Sequence, residues 1–139
     1  MTYFKSLQKR NPPWLFNEEN AAELDTLMEG AIVADADGSI IFANAAAIAM
    51  HGRMIMGVLP DDYSPTHGLF TEDGRPYPSS DLPLARAALR GETVLNSRWR
   101  IRRPDGSSVV AIGDAIPLRS SYNEQAGAIL IFREDPEQS

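Results

Sequence analysis

The chain has 139 residues, 43% of them apolar and 23% charged, with 13 Lys+Arg against 19 Asp+Glu for a formal net charge of -6 and no cysteine. That length supports one core burying roughly two-thirds of the unfolded surface, while the missing thiols exclude disulfides, thiolate metal sites, cysteine nucleophiles and thiol-attached cofactors. The acidic balance opposes phosphate backbones, no apolar run reaches the ~20 residues of a membrane span, and the start MTYFKSLQKRNPPW lacks a signal-peptide core, so the expectation is a cytoplasmic protein without nucleic-acid or membrane partners.

Residues 1–16, with Pro12-Pro13, read as an arm. Asn17 is placed to cap a helix whose first turn holds Glu18 and Glu19, and Leu24, Leu27 and Met28 follow at helical spacing, with Gly30 as the expected stop. AIVAD and SIIFA then read as two strands of a hairpin turned by Ala36-Asp37-Gly38. Asn44 is a second cap, for the short helix AAAIAMH that Gly52 closes. The Pro- and Gly-rich stretch from 53 to 80 leaves room only for helical turns in a surface loop. A helix with Pro83 in its first turn runs over 82–90, starting from Ser80 or Asp81, to Gly91. Three strands close the chain. In the first, alternation places Leu95, Trp99 and Ile101 on one face and Asn96, Arg98, Arg100 and Arg102 on the other. VVAIGDAIPL is the second. GAILIF, apolar on both faces, must be central and covered on both sides.

Charge is unevenly placed. Seven acids and no base occupy residues 17–37, and six arginines stand against one acid over 86–103, two segments expected to be solvated or to attract one another. Asp61-Asp62 and Glu72-Asp73 stand beside Pro and Gly and read as turn acids rather than a catalytic pair. His51 lies at the end of a short helix and His67 in the loop region, where the expectation is a solvated side chain that could gate a pocket. Asp114 is the unusual acid, alternating with Ile112 and Ile116 on the apolar side of its strand.

Four segments, LDTLMEGAIVADADGSIIFANAAA, DGRPYPSSDLPLARAALRGETV, RIRRPDGSSVVAIGDAIPL and GAILIFRE, resemble in order and spacing the PAS sensory domains, in particular the bacterial type attached to histidine kinases. The resemblance implies an α+β fold: a five-stranded antiparallel sheet of order 2-1-5-4-3, helices on one face around a small pocket, and here an N-terminal amphipathic helix. It divides the chain into an arm (1–16), a cap helix (17–30), a PAS core (31–134) and a tail (135–139). It carries over no catalytic group, so the chain is expected to be a sensor and not an enzyme; the alternatives are a ligand-free homodimerisation or partner-docking module and, less favoured, a small hydrolase or isomerase. Haem-binding relatives usually place their ligand in the helix that corresponds to 82–90, which has no histidine here. With cysteine-dependent flavin chemistry excluded as well, no cofactor and no metal are expected. Phe132-Arg133-Glu134 begins like the family's exit into an output helix, but Pro136 breaks a helix, so the chain is expected to be an excised sensor, a stand-alone PAS protein, or one whose output is carried by a partner such as a histidine kinase.

Trp99 with Ile101 is the expected wall of a pocket for a small apolar or carboxylate ligand, in company with Ile41, Ala47, Ile48, Met54, Met56, Leu84, Ala88 and Asp114. A homodimer contact is expected from Leu24, Leu27 and Met28 and from the outer face of the last strand, through Ile129 and Ile131 or, on the other parity, Ala128 and Leu130.

Overall fold

Asn17 opens the first helix with an extended backbone, its Oδ1 accepting the Asn20 N–H at 2.8 Å. The computed structural model describes residues 16–120 and 122–136, so the expected arm, apart from Phe16, and residues 137–139 of the expected tail lie outside the described residues. Helix α1 (Glu18–Asp25) ends at Thr26, earlier than Gly30, because Gly30 has another task. It is the first residue of strand β1 (Gly30–Ala34), and a Cβ there would stand 2.6 Å from Cζ of the Phe132 ring. Gly30→Ala should therefore lose about 1–3 kcal/mol by overpacking, read as a lower urea midpoint; an unchanged midpoint would mean that the ring yields freely.

The chain continues through β2 (Ile40–Ala43), α2 (Ala45–His51), a 3₁₀ turn at Pro60–Asp62, α3 (Tyr63–His67), β3 (Leu69–Phe70), a second 3₁₀ turn at Ser79–Asp81, α4 (Pro83–Arg90), β4 (Val94–Arg102), β5 (Ser108–Arg119) and β6 (Gln125–Glu134). Leu82, not Ser80 or Asp81, is the residue before α4. The six strands form one antiparallel sheet in the order β2-β1-β6-β5-β4-β3. Setting aside the two-residue β3 at the edge leaves the expected five-strand order. Strand β6 lies between β1 and β5, and Ala128 to Phe132 are buried on both faces, as a doubly apolar strand requires.

The two faces have different covers. Ile32, Ile40, Trp99, Ile101, Leu130 and Phe132 pack with Ala47, Tyr63, Leu84 and Ala88 of the helical layer. On the other face Leu24 closes over Ala31, Val33, Ile116, Ile129 and Ile131, with the Phe16 ring tilted against that of Phe42, their centroids 5.3 Å apart. Leu24, Ile129 and Ile131 are thus sealed inside the chain, not available to a second copy. Of the five residues expected at a dimer contact, only Met28, 95% exposed, and the half-buried Leu27 reach the surface. The cover of this apolar face is the chain's own helix α1.

Two bulges re-aim side chains. Between β1 and β2 the register shifts at Val33/Ala34, and Ile40 rather than Ile41 enters the core. Between β4 and β5 it shifts over Val94/Ser97, with Asn96 in the left-handed region at φ 55°. Val94 is buried there, and Leu95, expected beside Trp99, is 60% exposed. Arg98 pairs with Glu72 and Asp135, and Arg86 with Glu92. Asp135, placed in the tail by the sequence reading, is buried, and its N–H donates to the Val110 carbonyl.

Candidate functional site

A cavity of about 30 Å³ lies between the sheet and the helical layer, walled by Trp99, Ile32, Ile40 and Leu130 of the sheet and by Tyr63, His67, Leu82 and Leu84 above it. Short elements set each group. Helix α2 begins at Asn44, whose Oδ1 accepts the Ala47 N–H, and ends at Gly52, which takes a left-handed φ of 77°. Seven residues allow one inward stripe, and Ala47 and His51, four apart, form it. Ile48 is consequently turned to solvent, half exposed. Tyr63 anchors the loop region to the β1–β2 hairpin by donating its hydroxyl to the Gly38 carbonyl. Burial, with the charge of Asp35 second, raises the Tyr63 pKa, so the phenol stays protonated.

His51 and His67 meet at this cavity, their ring centroids 5.9 Å apart, and His51 also lies edge-on to Phe132 at 5.6 Å. Nδ1 of His51 bonds to the Ala47 carbonyl at 2.9 Å. Nε2 of His67 accepts the Ile55 N–H at 3.2 Å, and the ring also bonds to the Tyr63 backbone. Accepting from an amide requires an unprotonated Nε2, which makes His67 neutral. Burial lowers the pKa of His51 from 6.5 to about 4, with His67 and Arg103 adding in the same direction against the Ala47 bond. Burial, then Arg53, likewise lowers that of His67. Neither imidazole is the solvated or merely terminal side chain the sequence suggested: both are buried.

Of the residues expected at the pocket, Met54, Leu84 and Trp99 line the cavity. Ala47, Ala88 and Ile101 are fully buried in the surrounding core without lining it. Ile41, Ile48 and Met56 face solvent, Ile41 because of the bulge and Ile48 because of the helix phase. Asp114 sits on the opposite sheet face, beside Ile131, where its Oδ1 accepts the N–H of Asn96 at 2.7 Å and so satisfies the amide that the bulge takes out of the ladder. Sequence reasoning missed Tyr63, His67 and His51 as a group; their one signal was an aromatic and two imidazoles in or beside the least regular stretch of the chain. Among the described residues no three His, Asp or Glu side chains are grouped to hold a metal, and no helix is long and apolar enough to cross a membrane. Asp61 and Asp62 are exposed in their 3₁₀ turn.

Comparison with protein-family models and with curated proteins gives no match. Solved structures do. The PAS domain of the fruit-fly ELK potassium channel superimposes with a TM-score of 0.63 at 11% identity, covering 87% of this chain and 98% of that domain. The light-state dimer of the fungal blue-light photoreceptor Vivid gives 0.59 at 19% identity, covering 96% of this chain and 93% of that one. The PAS domain of BvgS from Bordetella pertussis gives 0.55 at 16%, covering 85% and 84%. With its central β6, the helical layer on one sheet face and a small cavity between them, the chain has the fold of a PAS domain.

Proposed function

We propose that the chain is a sensory module of a bacterial signalling system, taking a small apolar or carboxylate ligand into the cavity beside Trp99 and relaying the change through a homodimer contact or to an output partner such as a histidine kinase. The observation that carries this reading is the cavity wall, apolar except for the phenol of Tyr63 and the two neutral imidazoles; a few fixed polar groups in an apolar wall are what orient a ligand. About 30 Å³ holds no more than about two waters, so a ligand enters only when the cover formed by residues 52–82 moves. That movement is the proposed signal. The cover is tied to the sheet by Tyr63 to the Gly38 carbonyl, by the amides of Ile40 and Gly57 to the carbonyls of Val58 and Ile40, and by the short β3 strand. Arg53 to the Thr66 carbonyl and the Ile55 amide to His67 hold it together internally. No catalytic step is part of the reading, and the module is proposed to work in the cytoplasm.

The small volume also favours a second reading, a docking or homodimerisation module that takes no ligand. One titration separates the two. In a Trp14→Phe variant Trp99 is the sole tryptophan; hexanoate or toluene is expected to change its emission saturably and to raise the melting temperature. No response in either quantity leaves the docking module.

We also propose that the chain carries neither haem nor flavin. The cavity is about tenfold below the roughly 300–1,000 Å³ of pockets for larger ligands, there is no thiol, and both imidazoles are engaged. The purified protein should show no visible absorbance, and added haem no stoichiometric Soret band.

A further inference from the structure

Behind the two histidines lies a second recess, of about 170 Å³, lined by His51 and His67 and by Arg53, Arg102, Arg103 and Phe70, among others. Its guanidiniums come from two segments: Arg53 from the loop after α2, and the consecutive Arg102 and Arg103 from the end of β4 and the turn that follows. The chain carries a net charge of -6, yet no carboxylate lines this recess. Asp105, the nearest acid in the same turn, is folded back on Ser107, accepting its N–H at 2.9 Å and its hydroxyl at 2.6 Å. The acids that neutralise other arginines stand elsewhere, Glu72 and Asp135 at Arg98 and Glu92 at Arg86 and Arg90.

Each of the three guanidiniums is held in place. Arg53 donates from Nη2 to the Thr66 carbonyl at 2.9 Å. Arg103 donates from Nε to the Met50 carbonyl at 2.9 Å and from Nη1 to the Ser107 hydroxyl at 3.2 Å. Arg102 lies over the Phe70 ring, 4.5 Å from its centroid. These contacts use a minority of the fifteen N–H donors that three guanidiniums carry at about five each. They also settle the side-chain conformations before any ligand arrives, which lowers the entropy lost on binding. Like charges gathered around a half-enclosed space repel one another, and an oxyanion there reverses the sign of that interaction while matching the paired N–H geometry of the fork.

We propose that this recess binds a small oxyanion, the carboxylate or phosphate group of a soluble molecule, whether or not the apolar cavity takes a ligand. The test is calorimetric titration of the full chain at low ionic strength, where charge screening is weak, with sodium succinate in one arm and sodium phosphate in the other. At least one is expected to bind saturably at one site, with affinity reduced about tenfold or more by Arg102→Gln and by Arg53→Gln and unchanged by Arg90→Gln. The imidazole NMR signals of His51 and His67 should move with the same saturation. Both diagnostic arginines are exposed; should Arg102→Gln lower the melting temperature through the lost Phe70 contact, Arg53→Gln decides. The arm that binds names the anion. No saturable binding in either arm, or an equal loss with Arg90→Gln, overturns the proposal.

Discussion

Lowering the pH from 6.5 to about 4 should remove roughly 3 kcal/mol of stability through His51 alone, since each unit of pKa difference is worth about 1.4 kcal/mol. The sign follows from which state takes the proton. Unfolded, His51 protonates near 6.5; folded, burial holds it neutral down to about 4. Between those values the unfolded chain binds more protons, so stability is complete above 6.5, falls through the window and stops changing below it. His67 acts in the same direction, because its pKa is lowered too. Charging it also turns Nε2 from an acceptor into a donor facing the Ile55 amide. The groups around the pair, Arg53 and Arg103, are already cationic and oppose a further positive charge. Carboxylates held below 3.8 do not blur this window: Asp73, chiefly by the Thr71 hydroxyl, and Asp105, chiefly by that of Ser107, lose their contribution only at lower pH. Urea unfolding between pH 7.5 and 4.5 measures the slope, and His51→Gln should flatten most of it. A wild-type curve level across this range would sink the prediction, as would an unaltered slope in the variant.

Asn44→Leu should cost about 3–5 kcal/mol, near the upper end for a single substitution. Asn44 is fully buried and uses its whole hydrogen-bonding capacity. Its Oδ1 accepts the N–H groups of Ala31 and Ala47, each at 2.9 Å, and its Nδ2 donates to the carbonyls of Leu24 and Glu29 at 2.8 and 2.9 Å. One side chain thereby joins the end of α1, the start of β1 and the first turn of α2. Leucine keeps much of the volume and strands four backbone groups, each at about 1–3 kcal/mol before the neighbours relax. Asn44→Asp separates this joint from ordinary helix capping. Aspartate is as good a cap as asparagine, but it sets an oxygen against the carbonyls of Leu24 and Glu29. Both variants should unfold at clearly lower denaturant concentration. A neutral aspartate variant would reduce Asn44 to a cap.

The sequence by itself determined the features that local rules decide. Asn17 and Asn44 cap helices because a short side-chain oxygen reaches the second or third amide ahead, and Gly52 and Gly91 end helices because they adopt positive φ without a Cβ penalty. Asp35 accepts the amides of Asp37 and Ser39 at 3.0 Å and so closes the hairpin read from Asp37-Gly38. The central place of β6 followed from its apolar residues on both faces, while the α+β fold and its strand order were legible only through the resemblance to PAS domains. Period-two counting failed where a bulge added a residue: it put Leu95 inward beside Trp99, and a register shift exchanged it for Val94, just as another shift put Ile40 in the core where Ile41 was expected at the pocket. Asp114 reads as an anomaly along its own strand, and only the neighbouring strand's Asn96 amide accounts for it. The same holds for Leu24 against Ile129 and Ile131, where an apolar face announces that it must be covered but not whether its own chain or another covers it. His51 and His67 are sixteen residues apart in a stretch without periodicity, so their meeting, their burial and the lowered pKa values that follow were decided by the tertiary structure alone: desolvation depends on what packs around a group, which is a property of the folded surroundings and not of adjacent residues.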